Sequence, residues 1–229
     1  MPDSQHPINR HFHNFIDHQA CLADEIYILG DLFETWVGDD IGLTQYQTEI
    51  QRLKKLVQQG TRLYIGFGNR DFLMQHPFWL QTGARKLEDI ECLTIQNIKI
   101  LALHGDLLCT QDVHYQKMRR WFHKPWVQWL FLHFPKKWRL KIADKLRQQS
   151  TQSSQQKTDK LMGVSDQAVE ALFEDYPQCH LMVHGHTHRP ARHDLQIDGR
   201  QVTRWVLGDW RPNAKIIKIE NGDLELIEY

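Results

Sequence analysis

Cysteine is scarce: Cys21, Cys92, Cys109 and Cys179 are the only four in 229 residues, and none stands in a C-x-x-C pair. This excludes a disulfide-built scaffold and a zinc ribbon, and it fits thiols kept reduced in a cytosol. No apolar run is long enough to cross a bilayer, and the N-terminus lacks the basic-then-apolar pattern of a secretion signal. There is no internal repeat and no overall excess of charge, the formal net charge being zero. The remainder is ordinary for a folded chain, 41% apolar and 24% charged, and long enough for one large domain with a substantial core. A protein in the cytosol, or on a membrane surface without spanning it, is expected.

Histidine is plentiful, at 14 residues, and several stand beside glycine. Charge is balanced overall but unevenly spread. Between Lys117 and Lys160, twelve Lys and Arg face only Asp144 and Asp159, a local net of about +10 that the rest of the chain cancels. Such a positive field points to an anionic partner: phosphate, nucleic acid or an acidic membrane surface.

Short β-branched runs alternate with helical periodicity. The segment Phe12 to Leu22 reads as a first helix, and Ile26 to Leu29 as a buried strand ending at Gly30-Asp31. Leu43, Tyr46, Ile50, Leu53 and Val57 repeat at helical spacing up to Gly60. Leu63 to Phe67 is a strand ending at Gly68-Asn69, Ile98 to Leu103 one ending at His104-Gly105-Asp106, and Leu181 to Val183 one ending at His184-Gly185-His186-Thr187-His188. The C-terminal part reads as antiparallel strands turning at Asp198-Gly199 and Asn221-Gly222. A helical, aromatic and basic insertion, about 112–162, interrupts the pattern and ends in the polar stretch Gln148 to Gln156.

Four expected strands thus end in a metal- or phosphate-capable residue next to glycine. In α/β sheets, ligands bind beyond the carboxyl ends of strands, and glycine there lets backbone approach a ligand closely. Asp31, Asn69, His104, His186 and His188 are therefore expected to converge. A carboxylate, an amide oxygen and imidazoles form a mixed donor set suited to Mn²⁺, Fe²⁺ or Zn²⁺, and Asp31 is the natural bridge between two ions that clamp a phosphoryl group. Arg70 would set a planar guanidinium on the phosphate. Taken singly, Gly-Asp is usually a turn and Asn-Arg a polar surface pair. The ordered set of four is what carries the argument, with His-Gly-His-Thr-His the most specific part.

Gly30-Asp31-Leu32-Phe33-Glu34, Gly68-Asn69-Arg70-Asp71, His104-Gly105-Asp106 and Gly185-His186-Thr187-His188 together resemble the calcineurin-like metallophosphoesterases. That resemblance implies an α/β fold, a four-layer αββα sandwich of two sheets flanked by helices, as a single domain over residues 1–229 with the insertion as a helical cap. It implies that Asp31 bridges two metals, that Asn69, His104 and His186 complete one site, and that His188 belongs to the other. Asp31, Asn69, Arg70 and His104 would carry catalysis. Tyr27 to Glu34, Leu108 to Asp112, His123-Lys124-Pro125-Trp126 and His186 to Pro190 are further similar to the UDP-2,3-diacylglucosamine diphosphatases, through nearly the whole chain. This implies Mn²⁺-dependent attack on the α-phosphorus of UDP-2,3-diacylglucosamine, giving UMP and 2,3-diacylglucosamine 1-phosphate in lipid A biosynthesis. Asn69, Arg70, Asp112, Ser150, Ser154, Lys157 and His186 would contact the substrate. The expected place is the cytoplasmic face of the inner membrane, held peripherally on anionic lipid. Neither nucleic acid nor an obligate protein partner is expected.

One family motif is absent: no Asp-x-His precedes Asp31. The expectation is that Met1 is internal to the gene, with a strand and two ligands upstream. As the sequence stands, the first metal retains Asp31 and His188, while His6, His11 and His13 read as surface histidines. Two alternatives stay open: a phosphoesterase for another phosphoester, and a catalytically impaired binding relative.

Trp121, Trp126, Trp129, Phe131, Phe134 and Trp138 sit among Arg119, Arg120, Lys124, Lys136, Lys137, Arg139 and Lys141. Composition allows a helical hairpin packed on the core and, equally, a cap that receives acyl chains and meets anionic lipid. The resemblance favours the cap.

Overall fold

The computed structural model of the protein describes residues 1–2, 6, 8–156, 163–210 and 214–229, with 149–156 as backbone alone. In chain order the elements are α1 (Asn9–His18), β1 (Glu25–Ile28), α2 (Asp39–Gln45), α3 (Gln47–Gln58), β2 (Arg62–Ile65), α4 (His76–Thr82), β3 (Arg85–Lys86), β4 (Ile90–Ile95) and β5 (Ile98–Leu103). There follow α5 (Val113–Phe122), α6 (Pro125–Leu132), α7 (Lys136–Gln156), α8 (Asp166–Asp175), β6 (Leu181–His184), β7 (Ala191–Ile197), β8 (Arg200–Val206), β9 (Lys215–Glu220) and β10 (Asp223–Glu228).

The periodic run from Leu43 to Val57 forms two helices rather than one. Tyr46 leaves helical geometry at φ −111° and ψ 31°, is fully buried, and donates its hydroxyl to the Thr35 carbonyl at 3.1 Å. Packing of one side chain overrides the spacing. Likewise α1 starts earlier than the sequence suggests, and Ala20–Leu22 is a separate 3₁₀ turn.

Parallel β1, β2 and β3 form one sheet. A second runs β4-β5-β6-β8-β7, with β5, β6 and β8 parallel and the outer strands antiparallel. The hairpin β9–β10 keeps its own ladder, turning at Asn221-Gly222. Among the described residues β1 pairs with β2 only, so its other edge has no strand partner. The described residues thus form three hydrogen-bonded sheets, where the resemblance implies two.

Side-chain alternation divides the interior. Leu101, Leu103 and Met182 face α8, packing with Val169, Phe173 and Val202. From the opposite face Ile100, Leu181 and Val183 meet Leu29 and the hairpin residues Ile217 and Ile219. Ile216, pointing the other way, joins the largest core, where α1, α3 and α4 cover β1 and β2. The layers therefore run helices, three-stranded sheet with hairpin, five-stranded sheet, helix: an αββα sandwich. The largest core centres on Phe33, wholly buried, with ring centroids of Tyr46 at 4.5 Å, Trp36 at 4.8 Å and Phe78 at 6.0 Å.

Candidate active site

The carboxyl ends of β1, β2, β5 and β6 meet where the two sheets face each other. Gly30, at φ +94°, and Gly68 let the first two turns touch: a Cβ on Gly30 would stand 2.5 Å from the Gly68 amide nitrogen. Seven non-glycine residues among those described have positive φ. Gln96, Asn97, Asp198 and Asn221 sit in hairpin turns, where this is routine; the other three are Asp31, His186 and His188. Left-handed backbone at non-glycine positions costs energy and concentrates at functional sites.

Four of the expected donors come together around one imidazole. His104 Nδ1–H donates to the Leu29 carbonyl at 2.8 Å, so that in the neutral ring Nε2 carries the lone pair. That Nε2 lies 3.1 Å from His186 Nδ1, 3.3 Å from Asn69 Oδ1 and 3.8 Å from Asp31 Oδ2. Oxygen and nitrogen lone pairs facing one another repel unless a proton or cation lies between them. An imidazole oriented by a backbone carbonyl is the usual support of a metal ligand. Among the described residues no three His, Cys, Asp or Glu close into a preformed cage; the set includes an amide oxygen, and its chemistry fits a divalent cation. Burial first, and His104 second, push the His186 pKa down to about 4, so its imidazole is neutral near pH 7 and free to ligate.

His188 stands apart from that quartet. It lines the same cavity, its Nδ1 is 3.9 Å from Asp209 Oδ2, and burial lowers its pKa. Of the N-terminal histidines, His13 bonds Glu49 at 2.9 Å, while His6 and His11 are exposed. The Met1 amino group donates to the Leu32 carbonyl at 2.5 Å, packing the chain start on the loop after Asp31.

Residues with no assigned role in the sequence hold the site together. Asp71 is completely buried and braces both turns. Its carboxylate accepts from the amides of Gly68 at 2.8 Å and Leu32 at 2.6 Å, and more distantly from Asp31 and Phe33. Burial and then Asp31 raise its pKa to about 6. Asp106 accepts from Tyr115 Oη at 2.9 Å and Arg119 Nε at 2.6 Å, tying α5 to the His104 turn. On β6, His184 Nδ1–H donates to the Gly185 carbonyl at 3.0 Å and its Nε2 accepts from Arg204 at 3.0 Å. The sequence hinted at Asp71 and Asp106, each ending a quoted motif. Nothing in it marked Arg204.

Arg70 does not reach freely into space: its Nη1 bonds Glu34 Oε1 at 2.5 Å, its Nε lies 3.6 Å from Asp31 Oδ2, and its amide donates to Asp31 Oδ1 at 3.0 Å. Asp112 lines the cavity and caps α5, accepting from the Tyr115 amide at 3.1 Å. Lys157 lies outside the described residues, and so do the side chains of Ser150 and Ser154. The cavity, about 1250 Å³, runs from Asp31, Asn69 and His186 to an apolar end formed by Phe122, Val127, Phe131, Ile142 and Leu146.

Little of the insertion packs on the core: Phe131 lies partly buried against the largest cluster, and most of the other aromatic surface is open. Neither α5 nor α6 has a buried residue, and Trp121, Trp126, Trp129 and Trp138 are exposed. Two of its cations are not on the surface as expected: Arg119 pairs with Asp106 and Asp89, and Arg139 is buried against Asp40. Each is drawn inward by a carboxylate whose distant sequence position gave no sign of the pairing. Among the described residues no helix is long and apolar enough to cross a membrane.

Residues 2–190 match the family model of calcineurin-like phosphoesterases. A UDP-2,3-diacylglucosamine hydrolase of Serratia proteamaculans is 44% identical, covering 95% of this chain and 90% of its own. Proteins of the same name from Tolumonas auensis and Haemophilus influenzae are each 41% identical, covering 99% and 100% of this chain and 92% and 95% of theirs. The calcineurin-like family implies use of a divalent metal, which the donor set fits. The chain is a hydrolase of the calcineurin-like phosphoesterase family, and within it belongs with the UDP-2,3-diacylglucosamine hydrolases.

Proposed function

We propose that the protein hydrolyses UDP-2,3-diacylglucosamine, with water attacking the α-phosphorus to give UMP and 2,3-diacylglucosamine 1-phosphate. The observation that carries this is one cavity with two unlike ends: Asp31, Asn69 and His186, gathered about the buried His104, at one, and aliphatic and aromatic side chains at the other. A small water-soluble phosphoester has no use for the second end. The relatives' shared name points to the same substrate.

In this reading Asp31, Asn69, His104 and His186 would hold one Mn²⁺, and Asp31 with His188 would contribute to a second. Cations so held supply positive charge for the phosphoryl oxygens and acidify water. The chain's own groups do the rest. Arg70 exchanges Glu34 for a phosphate oxygen, placing a planar pair of N–H donors on the developing charge. His104 keeps its orientation through Leu29, and Asp71 holds the Asp31 and Asn69 turns at a fixed distance. Asp112 and His186, with Ser150, Ser154 and Lys157, contact the substrate. The 112–162 segment acts as a cap: its inner apolar surface takes the acyl chains, while exposed tryptophans among lysines rest on an anionic bilayer at the cytoplasmic face of the inner membrane.

The test is Mn²⁺-dependent release of UMP from UDP-2,3-diacylglucosamine in ¹⁸O-labelled water. Label in the UMP phosphate is expected. Label in the sugar phosphate would overturn the site of attack. Absence of cleavage with Mn²⁺ present would favour an impaired binding relative, in which His188 and Asp31 do not suffice for the second ion.

A further inference from the structure

The cavity is walled on one side by α7, whose Ile142, Ala143 and Leu146 face into it. One turn earlier on the same stripe comes Arg139, a cation with only 3% of its side-chain surface exposed. Its guanidinium reaches back to Val37, just before α2, and to Asp40 in the first turn of α2. Nη1 donates to the Val37 carbonyl at 2.5 Å and to Asp40 Oδ1 at 2.9 Å, Nη2 donates to Asp40 Oδ2 at 2.5 Å, and Nε donates to the Phe134 carbonyl at 3.0 Å. Lys136 adds a bond from Nζ to the Asp40 carbonyl at 3.0 Å.

The backbone has made room for this fork. Gly38 has φ +119°, and a Cβ there would stand 2.4 Å from Arg139 Nη1 and 2.8 Å from Leu132. The segment that Arg139 grips is the opposite cavity wall, Glu34 to Val37, and the Trp36 amide in turn donates to the Arg70 carbonyl at 3.0 Å. On the far side, α5 is tied down separately through Arg119 and Tyr115 to Asp106.

We infer that Arg139 and Asp40 form a clamp that fixes α7 over the core, so that the width of the apolar end, and with it affinity for an acylated substrate, is set by this pair. Arg139 is a positioning residue: it touches neither the donor quartet nor the reacting phosphorus. A bidentate guanidinium–carboxylate pair fixes direction as well as distance, which a lysine cannot reproduce. The inference rests on the acylated substrate proposed above.

The experiment compares wild type, Arg139→Ala, Arg139→Lys and Asp40→Ala in two measurements. Asp40→Ala guards against misfolding, because it removes a half-exposed carboxylate while Arg139 keeps both carbonyls. The first measurement is amide hydrogen exchange. Residues 136–148 are expected to exchange at least tenfold faster in Arg139→Ala, less so in Asp40→Ala and Arg139→Lys, with β5 and β6 unchanged. The second is kinetics. KM for UDP-2,3-diacylglucosamine is expected to rise at least tenfold with kcat within twofold, while hydrolysis of bis(4-nitrophenyl) phosphate stays within twofold of wild type. Unchanged exchange over 136–148, or parallel loss on both substrates, overturns the clamp. A wild type that cleaves only the small diester sinks the acylated-substrate reading instead, and the exchange data then decide the clamp by themselves.

Discussion

Gly68→Ala would place a methyl carbon 2.1 Å from Asp31 Oδ1 and 2.4 Å from the Asp31 amide nitrogen. Comfortable contact needs about 3.5 Å, so one turn must retreat from the other by roughly 1 Å. The bonds in the way are the Asp71 brace to the Gly68 amide at 2.8 Å and the Arg70 amide to Asp31 Oδ1 at 3.0 Å. Leaving buried partners of this kind unpaired costs about 1–3 kcal/mol each, so for the two bonds a stability loss of about 2–6 kcal/mol is expected. The effect on turnover is larger in proportion, because a displacement of about 1 Å at a reacting centre costs on the order of 100-fold in rate. Urea unfolding gives the first quantity and kcat/KM for UMP release the second, with circular dichroism reporting whether the sheet survives. A folded variant with activity within threefold of wild type would refute the claim that contact between these turns sets the donor geometry.

Phe33→Ala empties the centre of the aromatic cluster and is expected to cost about 3–5 kcal/mol, read from the denaturation midpoint. Asp71→Asn retains one acceptor but turns an amide N–H₂ toward backbone donors. A loss of about 1–3 kcal/mol is expected at pH 7, and a neutral or stabilising result in urea would contradict the bracing role. Hydrogen bonds from Arg139 hold the Asp40 carboxyl below its usual range. Its folded pKa is therefore below the unfolded one, and the clamp's stabilisation is complete above about pH 4 and lost as pH falls through the folded value. Intrinsic-rate-corrected exchange over 136–148 should rise in that acid window, and Asp40→Asn should abolish the dependence. Replacing Trp126 and Trp129 together by Ser should lower binding to vesicles containing anionic lipid, measured by sedimentation, without changing the unfolding midpoint.

Much of the centre could be read from the chain because Asp31, Asn69, His104 and His186 each lie shortly after a strand and beside glycine. His104 follows β5, and Gly185-His186 follows β6. The strand β4 was invisible: its hairpin turns at Gln96-Asn97, with φ 49° and 68°, a pair that carries no glycine signal. The break at Tyr46 was equally hidden, since it depends on a hydroxyl finding Thr35 eleven residues earlier. The same holds for the partners of Arg119 and Arg139. A cation within a basic run looks solvated until its carboxylate arrives from another part of the fold, as Asp40 does across 99 residues. Local rules locate donors and turns, whereas pairings across the chain depend on packing that no local window contains.

Parallel pairing of β5 and β6 extends one residue beyond Leu103 and His184: the Gly185 amide donates to the His104 carbonyl at 2.9 Å. The spacing of the His104 and His186 rings is thus inherited from a sheet register, not from a loop. Register is quantised, because a slip of one residue would turn every side chain of β6 to the opposite face. The helices between these strands, α5 to α8, can change length, sequence or tilt without rescaling that spacing. In such a layout the reaction and the choice of substrate are largely separate inheritances, and exchanging α6 and α7 for other helices, with the α5 bonds to Asp106 kept, should yield a new specificity on an unaltered centre.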